Sequence, residues 1–491
     1  MTELNILDSF HKQAYEKNIP WQASLELTNR CNHLCKHCYV DKSQGTDLGL
    51  EEWKIILEKL RGAGTLYIVF LGGEALLHPD FFQILEYAHL LNFHTSVITN
   101  GYLIDSLDYV KKLELAGLNN ITLSLYSTKE KLHDELTGVS GACQKIMQVL
   151  EYLKETKIRV GINTLQMAQN IEEYFSICEF ATNHKLDFNS DPVVTCDVLG
   201  KKHNLAQRPT CEQLQKHFKD KASKWPQSLA RPVPLSLCAP ICNMARCKCA
   251  INHQGDLLPC VEIREVMGNL LREDFHKIWM NKLAQKWRSL ENKEIKNLFK
   301  DSTDEFLDIC PGMGLNEMHD PLVIPEYMKM LAQVQKNILD EFRETHLLPF
   351  EGRSMSPLFR DQDELIINFS PKNAQVGDIV FVCLDGESVA HRLIEAGAKN
   401  ILKGDRSLHS EEIRSEDILG IVEGFIRNKK EYKWGYMGMP FKRIISACSK
   451  KTLFQHAQIY RKFYFLVIFV LIQFSVLSVG LKNQLSSKHH T

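Results

Sequence analysis

Between Trp21 and about residue 200, short apolar-rich runs alternate with segments of helical periodicity. The runs are SLEL (24–27), LYIVFL (66–71), HTSVIT (94–99), ITLSLY (121–126) and IRVGINTL (158–165). Such runs are typical of strands buried in a parallel sheet. The helical repeats are Trp53, Ile56, Leu57 and Leu60, and then Phe81, Ile84, Leu85 and Ala88. This alternation predicts an α/β fold, with a parallel barrel or an open sheet.

The pattern changes further along the chain. Residues 201–236 carry more polar residues and prolines, 325–345 resemble a connecting helix, and glycines then punctuate short β-branched runs, which predicts a small all-β domain. We divide the chain into an N-terminal segment (1–20), an α/β core (21–215), a small cysteine-rich α+β extension (216–325), a linker helix (326–345), a β domain (346–427), a basic segment (428–462), an apolar helix (463–481) and a tail (482–491).

The apolar segment FYFLVIFVLIQFSVLSVG (463–480) is uncharged and matches a short membrane span in length. Ten Lys or Arg residues and one acidic residue lie between Arg427 and Lys462. By the positive-inside rule the preceding domains face the cytoplasm. We therefore expect a C-terminal transmembrane helix that anchors cytoplasmic catalytic domains, with a buried soluble helix as the alternative.

Composition narrows the classes of function. A chain of 491 residues suffices for two to four domains, and 59 basic against 60 acidic residues give no sign of a nucleic-acid partner. The 15 cysteines cluster, while the N-terminus MTELNILDSFHKQAYEKNIP has no apolar signal-peptide core. Clustered thiols in a reducing cytosol predict metal binding.

Three cysteines, Cys31, Cys35 and Cys38, follow the first predicted strand in RCNHLCKHCYV. Thiolates select zinc or iron–sulfur clusters. Zinc sites usually close with a fourth ligand, whereas three ligands on a four-iron cluster leave one iron open to bind something else. We favour the cluster, with a zinc loop as the alternative.

The CxxxCxxC spacing resembles that of the radical SAM superfamily, and so does LGGEALLHPDF one strand later. The resemblance implies a partial (β/α)6 barrel. It also implies a [4Fe-4S] cluster that cleaves S-adenosylmethionine to a 5'-deoxyadenosyl radical, with electrons from a flavodoxin- or ferredoxin-type donor. The implied cofactor-binding residues are His37, Gly72, Gly73, Glu74 and Ser124, the last from SLYS at the end of the fourth strand.

A second cysteine cluster, CAPICNMARCKCAINHQGDLLPC, has twelve residues from Cys242 to Gly255 and four from there to Cys260. INHQGDLLPC predicts a hairpin with the glycine in its turn. The spacing resembles the SPASM extension of peptide-modifying radical SAM enzymes, in a shortened, twitch-like form. The resemblance implies one auxiliary [4Fe-4S] cluster, and a zinc hairpin is the alternative. The implied ligands are Cys242, Cys260, Cys310 and one of Cys238, Cys247 and Cys249, of which we select Cys238.

The β domain opens with FEGRSMSPLFRDQDELII, which resembles the nucleophile box of signal peptidase I. VGDIVFV, VAHRL and LKGD continue the match, along the branch with a Ser-His-Asp triad. The resemblance implies Ser354 as nucleophile, His391 as base and Asp405 as the orienting acid. A histidine held by a carboxylate removes the proton of a serine hydroxyl at neutral pH. Because signal peptidases act outside the cytoplasm, a cytoplasmic domain of this kind is expected to trim a cytoplasmic peptide at the membrane or only to bind it.

These features together predict a radical SAM maturase that modifies a small ribosomally made peptide, with a serine-peptidase-like domain that trims it. The segment before the first strand is too short for a leader-binding domain, so we expect a separate leader-binding protein. The alternatives are a radical SAM enzyme that modifies a protein side chain, as sulfatase-maturing enzymes do, a membrane-tethered protein that binds peptide without cutting it, and a zinc protein without radical chemistry.

Overall fold

The computed structural model describes residues 6–42, 45–224 and 239–344, and beyond these the segments 347–350, 355, 359, 363–368, 374–384, 387–396, 400–403, 410–413, 418–427 and 430–433. Cys238, Ser354, Asp405 and the predicted span at 463–481 lie outside these ranges. Within them, no helix has the length and apolar character needed to cross a membrane. The C-terminal anchor therefore stays a prediction.

The described residues fall into two compact units. One lies within Met1–His217 and Pro234–Gln333, and the other lies within Phe218–Val233 and Val334–Thr491. The helices are α1 (Ile6–Glu16), α2 (Leu50–Gly62), α3 (Phe81–Leu90), α4 (Leu107–Leu115), α5 (Glu130–Thr137), α6 (Ala142–Leu153), α7 (Tyr174–Asn183), α8 (Cys211–Lys224), α9 (Phe275–Trp279), α10 (Lys282–Arg288), α11 (Pro311–Met318) and α12 (Glu326–Glu344).

The first unit is built on one sheet with the strand order β6-β5-β4-β3-β2-β1-β7-β8-β9. Its strands are β1 (Gln22–Thr28), β2 (Tyr67–Gly72), β3 (His94–Thr99), β4 (Asn120–Ser124), β5 (Arg159–Leu165), β6 (Asp187–Asp191), β7 (Lys248–Ile251), β8 (Asp256–Leu258) and β9 (Gly268–Asn269). Strands β1 to β6 pair in parallel, β7 joins β1 in parallel, and β8 and β9 add antiparallel. The predicted α/β fold with a parallel sheet is confirmed.

The five strands predicted from apolar runs are all present, and the helices between them bury the predicted faces. On α2 the side chains of Trp53, Ile56, Leu57 and Leu60 are buried. The sequence analysis did not locate β6, whose residues DFNSD alternate between half-buried and exposed. An edge strand of this kind buries no continuous apolar run, so hydrophobic periodicity does not detect it.

The second unit contains a separate antiparallel sheet, which confirms the predicted all-β domain. Its described strands are β10 (Leu347–Phe350), β11 (Asp363–Asn368), β12 (Ile379–Leu384), β13 (Glu387–Glu395), β14 (Asn400–Lys403), β15 (Glu411–Ile413), β16 (Ile418–Arg427) and β17 (Lys430–Lys433). They pair in the order β10-β11-β16-β12-β13-β14-β15, with β17 on β16. Alternate side chains such as Leu365, Ile367 and Phe381 form its core.

Leu25 on β1 is fully buried, and its truncation tests the assigned core. We expect Leu25→Ala to lower the free energy of unfolding by about 2–5 kcal/mol in urea titration, because the removed atoms leave a cavity. Leu115→Ala removes the same atoms from a side chain that is 86% exposed, and its effect is expected to stay within about 0.5 kcal/mol. Equal losses for the two variants would contradict the placement of β1.

Candidate functional site

A cavity of about 310 Å³ lies at the carboxyl ends of the parallel strands in the first unit. All eight residues predicted for the first cluster and its cofactor line this cavity, namely Cys31, Cys35, Cys38, His37, Gly72, Gly73, Glu74 and Ser124. The cysteines come from the loop after β1, and the others from that loop and the ends of β2 and β4. Carboxyl ends of parallel strands are the usual ligand-binding edge of α/β folds.

The three thiols influence one another. Burial, followed by the neighbouring Cys38 and Cys31, raises the pKa of the Cys35 thiol to about 12. Burial also raises the pKa of Cys31, although its sulfur accepts the backbone N–H of His33 at 3.5 Å. Such thiols ionise when a metal cation replaces the proton, and an all-cysteine set suits an iron–sulfur cluster. Within the described ranges, no group of three or more His, Cys, Asp or Glu side chains is arranged to hold a single metal ion. The ligands of a [4Fe-4S] cluster lie further apart than those of one ion, because each cysteine binds a different iron.

Two glycines allow the end of β2 to lie against the start of the cysteine loop. Gly73 N–H donates to Thr28 O and Glu74 N–H donates to Arg30 O, each at 2.8 Å. A Cβ atom on Gly73 would lie 2.3 Å from Arg30 O, and Gly72 has φ of 132°. Any side chain at position 73 would overlap Arg30 O, and the positive φ at position 72 favours glycine. The close approach of these two loops positions the cysteines.

Glu74 is buried, and described residues satisfy its carboxylate. Oε1 accepts Thr99 Oγ1–H at 2.7 Å and Leu76 N–H at 3.2 Å, while Oε2 accepts Asn100 N–H at 2.9 Å. Burial raises the pKa of Glu74, and the three hydrogen bonds oppose that effect. The carboxylate is therefore fixed in one orientation at the cavity wall.

His37 and Ser124 both contact Tyr126, which the sequence analysis did not single out. The His37 ring lies edge-on at 4.5 Å from the Tyr126 ring, and Ser124 hydrogen-bonds the tyrosine hydroxyl. Burial lowers the pKa of His37 to about 4, so its imidazole is neutral. Its buried Nδ1 has no partner among the described residues. Tyr126 gave no separate signal because it belongs to the apolar run ITLSLY.

The predicted auxiliary ligands Cys242, Cys260 and Cys310 lie near one another. Burial raises the pKa of Cys260, and Cys310 and Cys242 raise it further. Burial raises the pKa of Cys310 to about 12, while each of the three sulfurs accepts backbone N–H groups that act in the opposite direction. Buried thiols with backbone donors suit an iron–sulfur cluster, whose potential depends on such hydrogen bonds.

The fourth auxiliary ligand is not assigned by the structure, because Cys238 lies outside the described residues. Both alternatives, Cys247 and Cys249, are buried. Cys249 pairs with Ala23 of β1 and packs in the core, and burial alone raises its pKa to about 12. Its environment is that of a packing residue.

Three charged residues lie where the cysteine-rich extension meets the parallel sheet, and the sequence analysis did not identify them. Arg264 forms a bidentate pair with buried Glu26 of β1, at 2.6 and 2.8 Å. Glu262 lines the same cavity as the first cysteine set, and burial raises its pKa to about 7 although Arg264 lowers it. In a chain with 60 acidic residues these carboxylates carried no motif that could have identified them.

In the second unit, His391 lies on β13 and is buried. Its Nδ1 donates to Glu411 Oε2 at 2.7 Å, from the start of β15. Ser354 and Asp405 lie outside the described residues, so the predicted Ser354–His391–Asp405 triad stays a prediction. Glu411 was not predicted, because the LKGD motif indicated Asp405 as the acid that contacts His391.

Three protein-family models match successive parts of the chain. A model of the radical SAM superfamily matches residues 25–181, an iron–sulfur cluster-binding (SPASM) domain matches 242–304, and a peptidase S24-like family matches 315–422. The order agrees with the three resemblances in the sequence.

Relatives of several activities match parts of the chain. An AdoMet-dependent heme synthase of Oleidesulfovibrio alaskensis is 30% identical over 31% of this chain and 41% of its own length. A PqqA peptide cyclase of Bradyrhizobium diazoefficiens is 27% identical over 43% of this chain and 56% of its own length. A heme synthase of Methanosarcina barkeri is 24% identical over 60% of this chain and 91% of its own. The chain thus spans about half of the first two relatives.

Two solved structures share the fold. Streptococcus suis SuiB bound to S-adenosylmethionine superposes with a TM-score of 0.51 at 19% identity, over 66% of this chain and 81% of SuiB. The structure of anSMEcpe with bound AdoMet gives 0.52 at 17% identity, over 65% and 93%. Three successive parts of the chain thus match the radical SAM superfamily, a SPASM iron–sulfur cluster-binding domain and a peptidase S24-like family, and the solved structures share the fold of the first unit.

Proposed function

We propose that this protein is a radical SAM maturase of a ribosomally made peptide, with a serine-peptidase-like domain that trims the same peptide. The observation that carries the radical half is the convergence of three cysteines, a glycine pair and Glu74 on one cavity at the ends of parallel strands. When bound there, a [4Fe-4S] cluster and S-adenosylmethionine supply hydrogen-atom abstraction from an unactivated C–H bond.

The chain's own residues have distinct tasks in this proposal. Cys31, Cys35 and Cys38, which are half-buried on the cavity wall, would hold the cluster. Gly73 lets the β2 end pack on the cysteine loop, and Glu74 presents a fixed carboxylate to the methionyl amino group. Cys242, Cys260 and Cys310, with Cys238 as the proposed fourth ligand, hold an auxiliary cluster.

The substrate class rests on two supports. PqqA peptide cyclases are among the sequence relatives, and these proteins are named for the cyclisation of a peptide. The peptidase S24-like match adds a second domain whose family acts on polypeptides. The heme synthase of Methanosarcina barkeri matches 60% of this chain, a larger share than the peptide cyclases do, yet a tetrapyrrole substrate would give the second domain no function. A peptide therefore accounts for both domains.

The proposal includes a separate leader-binding protein, a flavodoxin- or ferredoxin-type electron donor and a membrane anchor at residues 463–481. In the peptidase-like domain, Ser354 acts as nucleophile and His391 as its base. Asp405 is the predicted orienting acid, and Glu411, which accepts the His391 Nδ1–H at 2.7 Å, is the other candidate for that role. A domain that binds the peptide without cutting it is the alternative, and acylation of Ser354 distinguishes the two.

Cys35→Ala tests the radical half. Anaerobic coexpression with each short peptide encoded beside the gene is expected to change the mass of one peptide with the wild-type chain and none with the variant. Release of 5'-deoxyadenosine should fall to background in parallel. Cys178→Ala, on α7, removes a thiol elsewhere in the unit and should retain both signals. Persistent deoxyadenosine in Cys35→Ala would contradict the cluster assignment.

Gly73→Ala tests the close approach of the two loops. The added methyl group would overlap Arg30 O, so we expect S-adenosylmethionine binding to weaken at least tenfold in isothermal titration of the reconstituted protein. Gly62→Ala is the matched control, because no atom lies within 4 Å of the Cβ position on this helical glycine. Unchanged affinity in Gly73→Ala would place the cofactor elsewhere.

Ser354→Ala tests the peptidase half. A serine-directed acylating probe is expected to label the wild-type full chain at Ser354, with His391→Gln slowing the reaction about a hundredfold or more through loss of the base. Peptide mapping of the labelled protein locates the site. Equal labelling of wild type and Ser354→Ala would remove the catalytic assignment and leave the binding alternative.

A further inference from the structure

His33 lies between the first two cysteines and has no role in the proposal so far. Its side chain is 1% exposed, and it lines the same cavity as Cys31, Cys35 and Cys38. Both ring nitrogens are buried without a hydrogen-bond partner among the described residues. Buried polar atoms are nearly always paired in folded proteins, so the ring is expected to have a partner in the cavity.

The backbone around His33 is held at three points. His33 N–H donates to Cys31 Sγ at 3.5 Å, which folds the residue back over the first thiol. Lys42 Nζ donates to His33 O at 3.0 Å, and Leu34 N–H donates to Thr137 O at 2.9 Å. The backbone from which the ring projects is therefore fixed on both sides of the residue.

The ring itself is also confined. Tyr102 meets it edge-on with ring centroids 5.5 Å apart, a contact that uses carbon atoms and leaves the nitrogens unpaired. In either protonation state an imidazole carries at least one N–H donor. Leaving such a donor unpaired in a buried site costs about 1–3 kcal/mol. The acceptors that line this cavity include the Glu74 carboxylate, which already accepts three hydrogen bonds, and the sulfur atoms of the cysteines between which His33 lies. The cluster that these cysteines would hold adds further sulfur acceptors.

We propose that the His33 ring donates an N–H hydrogen bond to a sulfur atom of the [4Fe-4S] cluster and thereby sets the potential at which the cluster is reduced. The inference rests on the radical SAM function proposed above. Reduction passes one electron from a flavodoxin- or ferredoxin-type donor to the cluster, and no proton is transferred. Hydrogen bonds to cluster sulfurs stabilise the more negative, reduced form and raise the reduction potential.

The test compares the reconstituted full-length wild type with His33→Leu, His33→Gln and Leu34→Ala, by EPR-monitored redox titration without S-adenosylmethionine. His33→Leu removes the donor at similar volume, and we expect the equilibrium constant for reduction to fall about tenfold, a negative shift of about 59 mV for one electron. His33→Gln restores an N–H donor and should recover part of the shift. Leu34→Ala, beside it and 71% exposed, should match wild type.

The outcomes separate this inference from the proposed function. Iron and sulfide analysis comes first, and absence of a cluster from the wild type would overturn both. A cluster with the same potential in wild type and His33→Leu would overturn the inference alone. If only S-adenosylmethionine affinity changes, the ring donates to that cofactor and the inference is also wrong. If His33→Leu takes up no cluster, the wild type is compared with His33→Gln instead. A cluster reduction potential in His33→Gln equal to that of wild type then supports the N–H donor.

Discussion

The parallel pairing of β1 with β2 is the constraint on which the rest of the first unit depends. Thr28, the last residue of β1, pairs with Gly72, the last residue of β2. The register shifts between Glu26 and Thr28, and beyond the strands Gly73 and Glu74 donate their backbone N–H groups to Thr28 O and Arg30 O. The thiols therefore begin one residue beyond a backbone contact that only glycine permits.

Much of this arrangement could be predicted from the chain alone. Five strands could be predicted from apolar runs, because parallel strands are buried on both faces. The CxxxCxxC and GGE motifs identified the cavity wall through their resemblance to the radical SAM superfamily, since each motif lies within one short segment of the chain. The hairpin turn at Gly255 was predicted for the same reason, and its φ of 81° agrees.

The remaining features depend on contacts between distant segments. Strand β6 is polar because it lies at a sheet edge, and Tyr126 matters only because His37 folds against it. Glu411 reaches His391 through two intervening strand pairings, so its role has no local signature. Ser354, Asp405 and Cys238 stay predictions, because they lie outside the described residues.

The Glu26–Arg264 pair has a consequence for the size of what the cavity accepts. Glu26 belongs to the strand that carries the first cysteine loop, and Arg264 follows Cys260 of the second set by four residues. Removing one partner of a buried ion pair costs about 3–5 kcal/mol, so the pair resists separation. The pair therefore holds the segment after Cys260 against the strand that carries the first cysteine loop. In the proposed function, a substrate that contacts both cysteine sets must fit the separation that this pair maintains.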